Sequence, residues 1–145
     1  MNEDPWRLMR FVAAQDRGGT YQRAVAELRA GAKRSHWMWF VFPQVAGLGM
    51  SAMSQEYAIS SAEEARAYLA HPVLGPRLRE CAAIVVGTDG KTADQVFGPV
   101  DAMKLRSSMT LFATVGGDDG GVCAAVLEKF FDGRRDEVTV TLLLH

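Results

Sequence analysis

Residues 98–112 read GPVDAMKLRSSMTLF, and the spacing inside this stretch sets the fold class. Glycine followed by proline is a strong helix start, because Pro99 has no amide hydrogen to leave unpaired at the first helical position and its fixed φ already suits the helix. Behind it Ala102, Leu105, Met109 and Phe112 recur at helical spacing and predict an amphipathic helix. On a wheel that advances roughly 100° per residue, Asp101, Lys104 and Ser108 fall in the same sector as those apolar side chains, within about 60° of one another. Met103, Arg106, Ser107 and Thr110 take the opposite side. A charge in an apolar sector is costly unless it is paired, so Asp101 and Lys104 must meet each other, meet other polar groups, or line a solvated cleft. Two readings stay open. In the structural one Asp101 satisfies free amides at the helix start and Lys104 carries its ammonium out to water. In the functional one the three polar residues face a ligand.

The flanking sequence repeats the helical pattern. Leu8, Phe11, Val12 and Gln15 follow Asp4-Pro5 at i, i+3, i+4 and i+7, which predicts a helix capped by Asp4, entered at Pro5 and carrying a glutamine on its inner face. Gly18-Gly19 breaks it, and Thr20 caps a second helix through Tyr21, Ala24, Val25 and Leu28 that Gly31 closes, so the two form a hairpin. Ser61-x-x-Glu64 is a capping box, and the helix it opens ends at Pro72. Leu74, Leu78, Cys81, Ala82 and Val85 mark the next helix, and Thr92 caps a single turn to Phe97. Gly116–Gly121 predicts a mobile loop, followed by a helix through Cys123, Val126, Leu127, Phe130 and Phe131. Val138–Leu142 alternates like a strand, but it has no partner strand of comparable quality and reads as a terminal helical turn. The expectation is an all-α, compact single-domain bundle over residues 1–145 with about seven helices, its short tail Asp136–His145 being irregular or extended where it is not helical.

Composition narrows the function classes. The chain has 145 residues, 48% of them hydrophobic and 23% charged, with a formal net charge of −1. That is enough apolar surface for one core, without the basic excess that neutralises a nucleic-acid backbone, so no nucleic-acid partner is expected. The opening residues are acidic where a secretory signal would be basic, and no apolar run approaches the roughly 20 residues that span a bilayer. A cytoplasmic location with no membrane partner follows as the expectation. Cys81 and Cys123 occupy apolar helical positions and share no metal or redox spacing with each other or with His36, His71 and His145, so they read as buried free thiols. Phosphate-cradling, zinc-protease, nucleophile-elbow and calcium-loop signatures are all missing, and no cofactor or metal is expected. Gly47-Leu48-Gly49 reads as a tight turn.

The second candidate stretch is KRSHWMWFVFPQ, residues 33–44. It is apolar almost without alternation, so periodicity cannot separate a short buried helix from a strand; Ser35 as a cap favours helix. It packs Lys33, Arg34, His36, Trp37 and Trp39 into seven residues. On the functional reading an indole forms a wall for a planar or cationic group, Lys33 or Arg34 meets an anion, and His36 acts as acid, base or donor. On the bland reading both indoles are core and His36 bonds a carbonyl.

The stretches AQDRGGTYQRAVAELRAGAKRSHWMWFVFPQVAGLGMS, YLAHPVLGPRLREC and DAMKLRSSMTLF together resemble a family of small bacterial proteins known as a domain of unknown function, some members of which carry the label "calpastatin". The resemblance spans nearly the whole chain and implies a mainly helical fold and no established activity. A calpain inhibitor of that name is a long disordered repeat protein, unlike a chain with this apolar content. The resemblance falls on the same two stretches that the wheel and the aromatic cluster single out, and two expectations follow. In the first, residues 33–44 and the Asp101 helix face each other across a cleft that takes a small anionic ligand of nucleotide or ribose type. There His36, Asp101 and Lys104 would be catalytic, Lys33, Arg34, Trp37, Trp39, Gln44 and Ser108 ligand-binding, and cleavage of a glycosidic bond without metal is one concrete form. In the second, the protein is a non-enzymatic interaction module working through Leu48, Met50 and Met53, with no protein partner indicated.

Overall fold

The structure is a computed structural model that describes residues 3–144, of Asp118 and Asp119 only the backbone. Its regular secondary structure is α1 (Met9–Asp16), α2 (Thr20–Arg29), α3 (Met38–Val41), α4 (Ala52–Glu56), α5 (Ala62–Ala70), α6 (Leu74–Val86), α7 (Ala93–Phe97), α8 (Pro99–Gly116), α9 (Gly121–Phe131) and α10 (Glu137–Leu143), with 3-10 turns at Arg17–Gly19 and Gly117–Gly120. The all-helical expectation holds. The segments outnumber the expected seven because several are single turns, and α4, capped by Ser51, had no apolar repeat to announce it.

Helix α8 is the axis, with α5, α7, α9 and α10 packed round it; α6 bridges α2, α5 and α9. The buried face is continuous, running from Phe11 through Phe42 and Tyr68 to Phe112 and Leu127. Both cysteines lie in it as free thiols, each pushed up to about 12 by burial. Gln15 ends the inner face of α1 as expected and uses its amide fully: Nε2 donates to the Phe40 carbonyl at 2.8 Å and to the Tyr68 hydroxyl at 3.3 Å, while Oε1 accepts from Arg77.

Local chemistry corrects several end assignments. Asp4 accepts the amides of Leu8 and Met9, but α1 starts at Met9 rather than Pro5, because Arg7 turns into the left-handed region at φ 53° and interrupts the helix. Thr20 is the first residue of α2, not its cap, and its hydroxyl donates back to the Arg17 carbonyl. Ser61 caps α5, yet Glu64 does not complete the box; its carboxylate turns to Ser60 and to Arg10 at 3.0 Å. Thr92 and Gln95 do form a reciprocal box. Residues 117–120 make a 3-10 turn rather than an open loop, and Gly120 is required there, since a Cβ would lie 2.4 Å from the Phe112 carbonyl oxygen. Within the tail, Glu137–Leu143 is a helix capped by Asp136 that lies on α8, and His145 falls outside the described residues. That packing buries Ser107 and Thr110, which the wheel puts on the solvent side.

Candidate functional site

The site starts from Glu27, on the margin of the apolar face of α2. Its carboxylate accepts the backbone amides of Arg34 and Ser35 at 2.7 and 3.0 Å, the Ser35 hydroxyl, and the Trp37 indole N–H at 2.9 Å. Burial alone would push this carboxyl up, but the hydrogen bonds from Ser35, Arg34 and Trp37 outweigh it and hold it down at about 2. Four donors on one carboxylate fix the path of residues 34–37. The Ser35 hydroxyl is thereby spent on Glu27 and does not cap α3, whose N-cap position belongs to Trp37.

That path sets the position of Lys33. Its backbone amide donates to the Val96 carbonyl at 2.9 Å, tying the segment to α7. Its side chain, only 6% exposed, donates from Nζ to the Ser35 carbonyl at 2.7 Å and to Asp101 Oδ2 at 2.8 Å, with Nζ 4.9 Å from the Trp37 ring centroid. Asp101 sits in the first turn of α8 and also has Lys104 Nζ at 3.5 Å. Asp101 and Lys104 are 21% and 23% exposed in that pair, so the inward placement read from the wheel is correct, and the partner closest to Asp101 is the one on the other segment. Lys104 Nζ stands 4.7 Å above the centroid of the Trp39 ring.

These groups open onto one cleft of about 310 Å³ between the 33–39 segment and the start of α8. Lys33, His36, Trp39, Asp101 and Lys104 line it, along with Met38, Phe97 and the Gly98–Val100 corner. His36 is exposed at the rim, and no other described residue hydrogen-bonds its ring. Trp39 Nε1 is buried without a partner among the described residues. Beyond Val100 and Lys104, which border both spaces, lies a groove of about 350 Å³ with Gln44, Leu48, Met103 and Val138 on its walls.

Of the expected site residues, five therefore meet in the cleft. Gln44 lies in the adjoining groove. Three are placed elsewhere. Trp37 is fully buried, with its indole N–H on Glu27, because the four-donor cradle draws the ring inward. Arg34 is exposed and lines neither space; it serves Glu27 through its backbone. Ser108 is fully buried, with no partner for its hydroxyl among the described residues, one turn beyond Lys104 on α8. Glu27 itself escaped the sequence reading; its signal was a carboxylate three residues after the buried Ala24, at the edge of the helical stripe. Among the described residues no group of three His, Cys, Asp or Glu side chains is arranged to hold a metal. None of the described helices is long and apolar enough to cross a membrane.

The chain is similar over 98% of its length, and over 99% of the other chain, to the crystal structure of the conserved hypothetical protein Rv1873 from Mycobacterium tuberculosis, with a TM-score of 0.93 and 51% identity. No curated protein matches it. The family described as "Protein of unknown function (DUF1810)" matches residues 5–143, and the chain belongs to that family.

Proposed function

We propose that the protein binds a small anionic ligand in the cleft between residues 33–39 and the first turn of α8. The observation that carries this reading is the convergence of Lys33 and Lys104 on a single carboxylate at the cleft floor. Two ammonium groups share one negative charge, so the floor keeps a positive excess, and Lys104 holds it where solvent reaches. The low-dielectric wall of Trp39, Phe97 and Met38 strengthens the attraction for an anion. In this reading Asp101 is a positioning group that sets both lysines, while His36, whose ring nitrogens are free of partners among the described residues, is the acid or base for any metal-independent hydrolysis of the bound molecule. The Trp39 face turned to Lys104 is already occupied by the ammonium, so recognition rests on charge and hydrogen bonding before stacking.

A thermal-shift screen with inorganic phosphate, nucleoside monophosphates, sugar phosphates and simple carboxylates tests the reading. At least one of these anions should raise the melting temperature, by an amount that grows with its concentration. The shift should vanish in Lys104→Met and persist in Arg134→Met, which removes a surface cation elsewhere. No response to any of them would reject the site. Exposed Met50, Met53 and Met103 support the interaction-module reading, and concentration-dependent self-association lost on Met103→Glu would favour it instead.

A further inference from the structure

The groove beyond Lys104 extends the proposed site and sets the class of ligand. Val100 and Lys104 border both spaces, so a molecule whose anionic end lies against Lys104 in the cleft can continue past it into the groove. The two spaces differ in charge. Among the residues that line the cleft, Lys33 and Lys104 stand against Asp101, leaving one formal positive charge there. On the groove side the ionisable group besides Lys104 is Asp136, whose Oδ2 accepts from Ser107 and from the Thr139 amide. One spare positive charge matches a monoanion, and a polyphosphate would carry surplus negative charge toward Asp136. The groove walls are apolar at Leu48, Val100, Met103 and Val138, and Val100 and Met103 are 66% and 72% exposed, so a tail lying there would cover them. Gln44, half-buried, also lines the groove; its carboxamide is bonded by no other described residue, and it presents a donor beside an acceptor. A peptide N–H or carbonyl answers either half of such an edge.

Resting on the anion site above, we infer that its ligand is a short peptide with a free C-terminal carboxylate, the carboxylate on Lys104 and His36 and an amide of the chain against Gln44. The charge complementarity of the two spaces argues for a carboxylate with an uncharged tail, and the open groove leaves room for the chain to leave toward Val138.

The test is a titration of the intact protein with N-acetyl-alanyl-leucine, with the same dipeptide as its C-terminal amide, and with AMP, followed by calorimetry and by the Trp39 indole N–H resonance, one of three in the chain. The free acid should bind roughly ten-fold or more tighter than the amide, because only it makes the charge-assisted bonds. It should also shift the Trp39 signal. Gln44→Ala should weaken the acid by roughly five-fold while leaving the response to acetate unchanged. Equal binding of acid and amide, or full binding by Gln44→Ala, overturns the inference. If AMP or acetate binds and moves the Trp39 signal while the dipeptide does not, the anion site stands and the peptide assignment falls; if none of the three binds, the peptide assignment falls and the anion site is left to the wider screen above, which rejects it if no anion responds.

Discussion

Two ionic clusters in this small protein use the same kinds of side chain and end differently. At the first, Arg10 spends all five of its guanidinium N–H donors inside the protein, on the carbonyls of Trp6, Arg7, Glu56 and Ala58 and on Glu64. Glu64, buried, accepts in addition from the Ser60 amide and hydroxyl. At the second, Lys33 commits two of its three N–H donors, to Ser35 and Asp101, but Lys104 has one carboxylate at 3.5 Å, an aromatic face, and no backbone partner among the described residues. The first cluster closes a loop onto α1 and leaves nothing over. The second leaves a cation with spare donors at the mouth of a cleft. Saturation, more than the presence of buried charge, separates the structural pair from the one available to a ligand.

The largest expected effect breaks the saturated cluster. Arg10→Met keeps much of the stem's packing but strands the Glu64 carboxylate and four carbonyls, and it should cost about 3–5 kcal/mol in chemical denaturation. A loss below about 1 kcal/mol, the range of an exposed ion pair, would erase the contrast between the clusters.

Glu27 should give a smaller effect with a pH signature. Its folded carboxyl is held at about 2 against an ordinary 4.5, so its contribution is fully present above pH 4.5 and is lost as pH falls toward 2. Glu27→Gln should therefore lower stability by about 2 kcal/mol at pH 7, after allowance for solvent screening, and the gap to the wild type should close across that acid window. Urea denaturation at a series of pH values measures this. A gap that stays constant from pH 5 to pH 2.5 would show that the carboxylate charge is not what holds residues 34–37.

How much of this was legible in sequence follows from what kind of interaction placed each residue. The inward turn of Asp101 and Lys104 comes from helical geometry alone, which depends only on spacing, and it is correct. The burial of Ser107 and Thr110 depends on where a later helix lands: α10 packs on the face that the wheel leaves to water, and Thr110 accepts the Asp136 amide at 2.9 Å. Lys33 and Arg34 are adjacent and chemically similar, yet one is locked against Asp101 and the other points to solvent; the choice is made by Glu27, which holds the backbone of the second residue. Ser35 carried the same ambiguity, since a hydroxyl before an apolar run caps a helix unless a nearer acceptor claims it. Local periodicity was readable; contacts between segments were not, whether the partners lie eight residues apart, as Glu27 and Ser35 do, or 26, as Thr110 and Asp136 do.

The smallest expected effect on stability is also the sharpest test of the contrast. Lys104→Met removes the charge and keeps most of the stem over Trp39. Asp101 is not stranded by this change, because Lys33 remains at 2.8 Å and part of the carboxylate faces solvent. The cost in the absence of any ligand should therefore be only about 1 kcal/mol, the scale of a partly exposed pair. Asp101→Asn should cost more, since it leaves two ammonium groups facing each other across the cleft floor, one of them almost fully buried. In the double variant the Lys104 charge that Asp101 balanced is gone as well, so the combined loss should fall short of the sum of the single losses. Thermal and urea denaturation of the two single variants and the double variant measure all three terms. A loss of 3–5 kcal/mol for Lys104→Met alone would place Lys104 with Arg10 as a structural cation. Strict additivity would mean that Lys104 and Asp101 do not sense each other, and the positive excess at the cleft floor would have to be assigned to Lys33 alone.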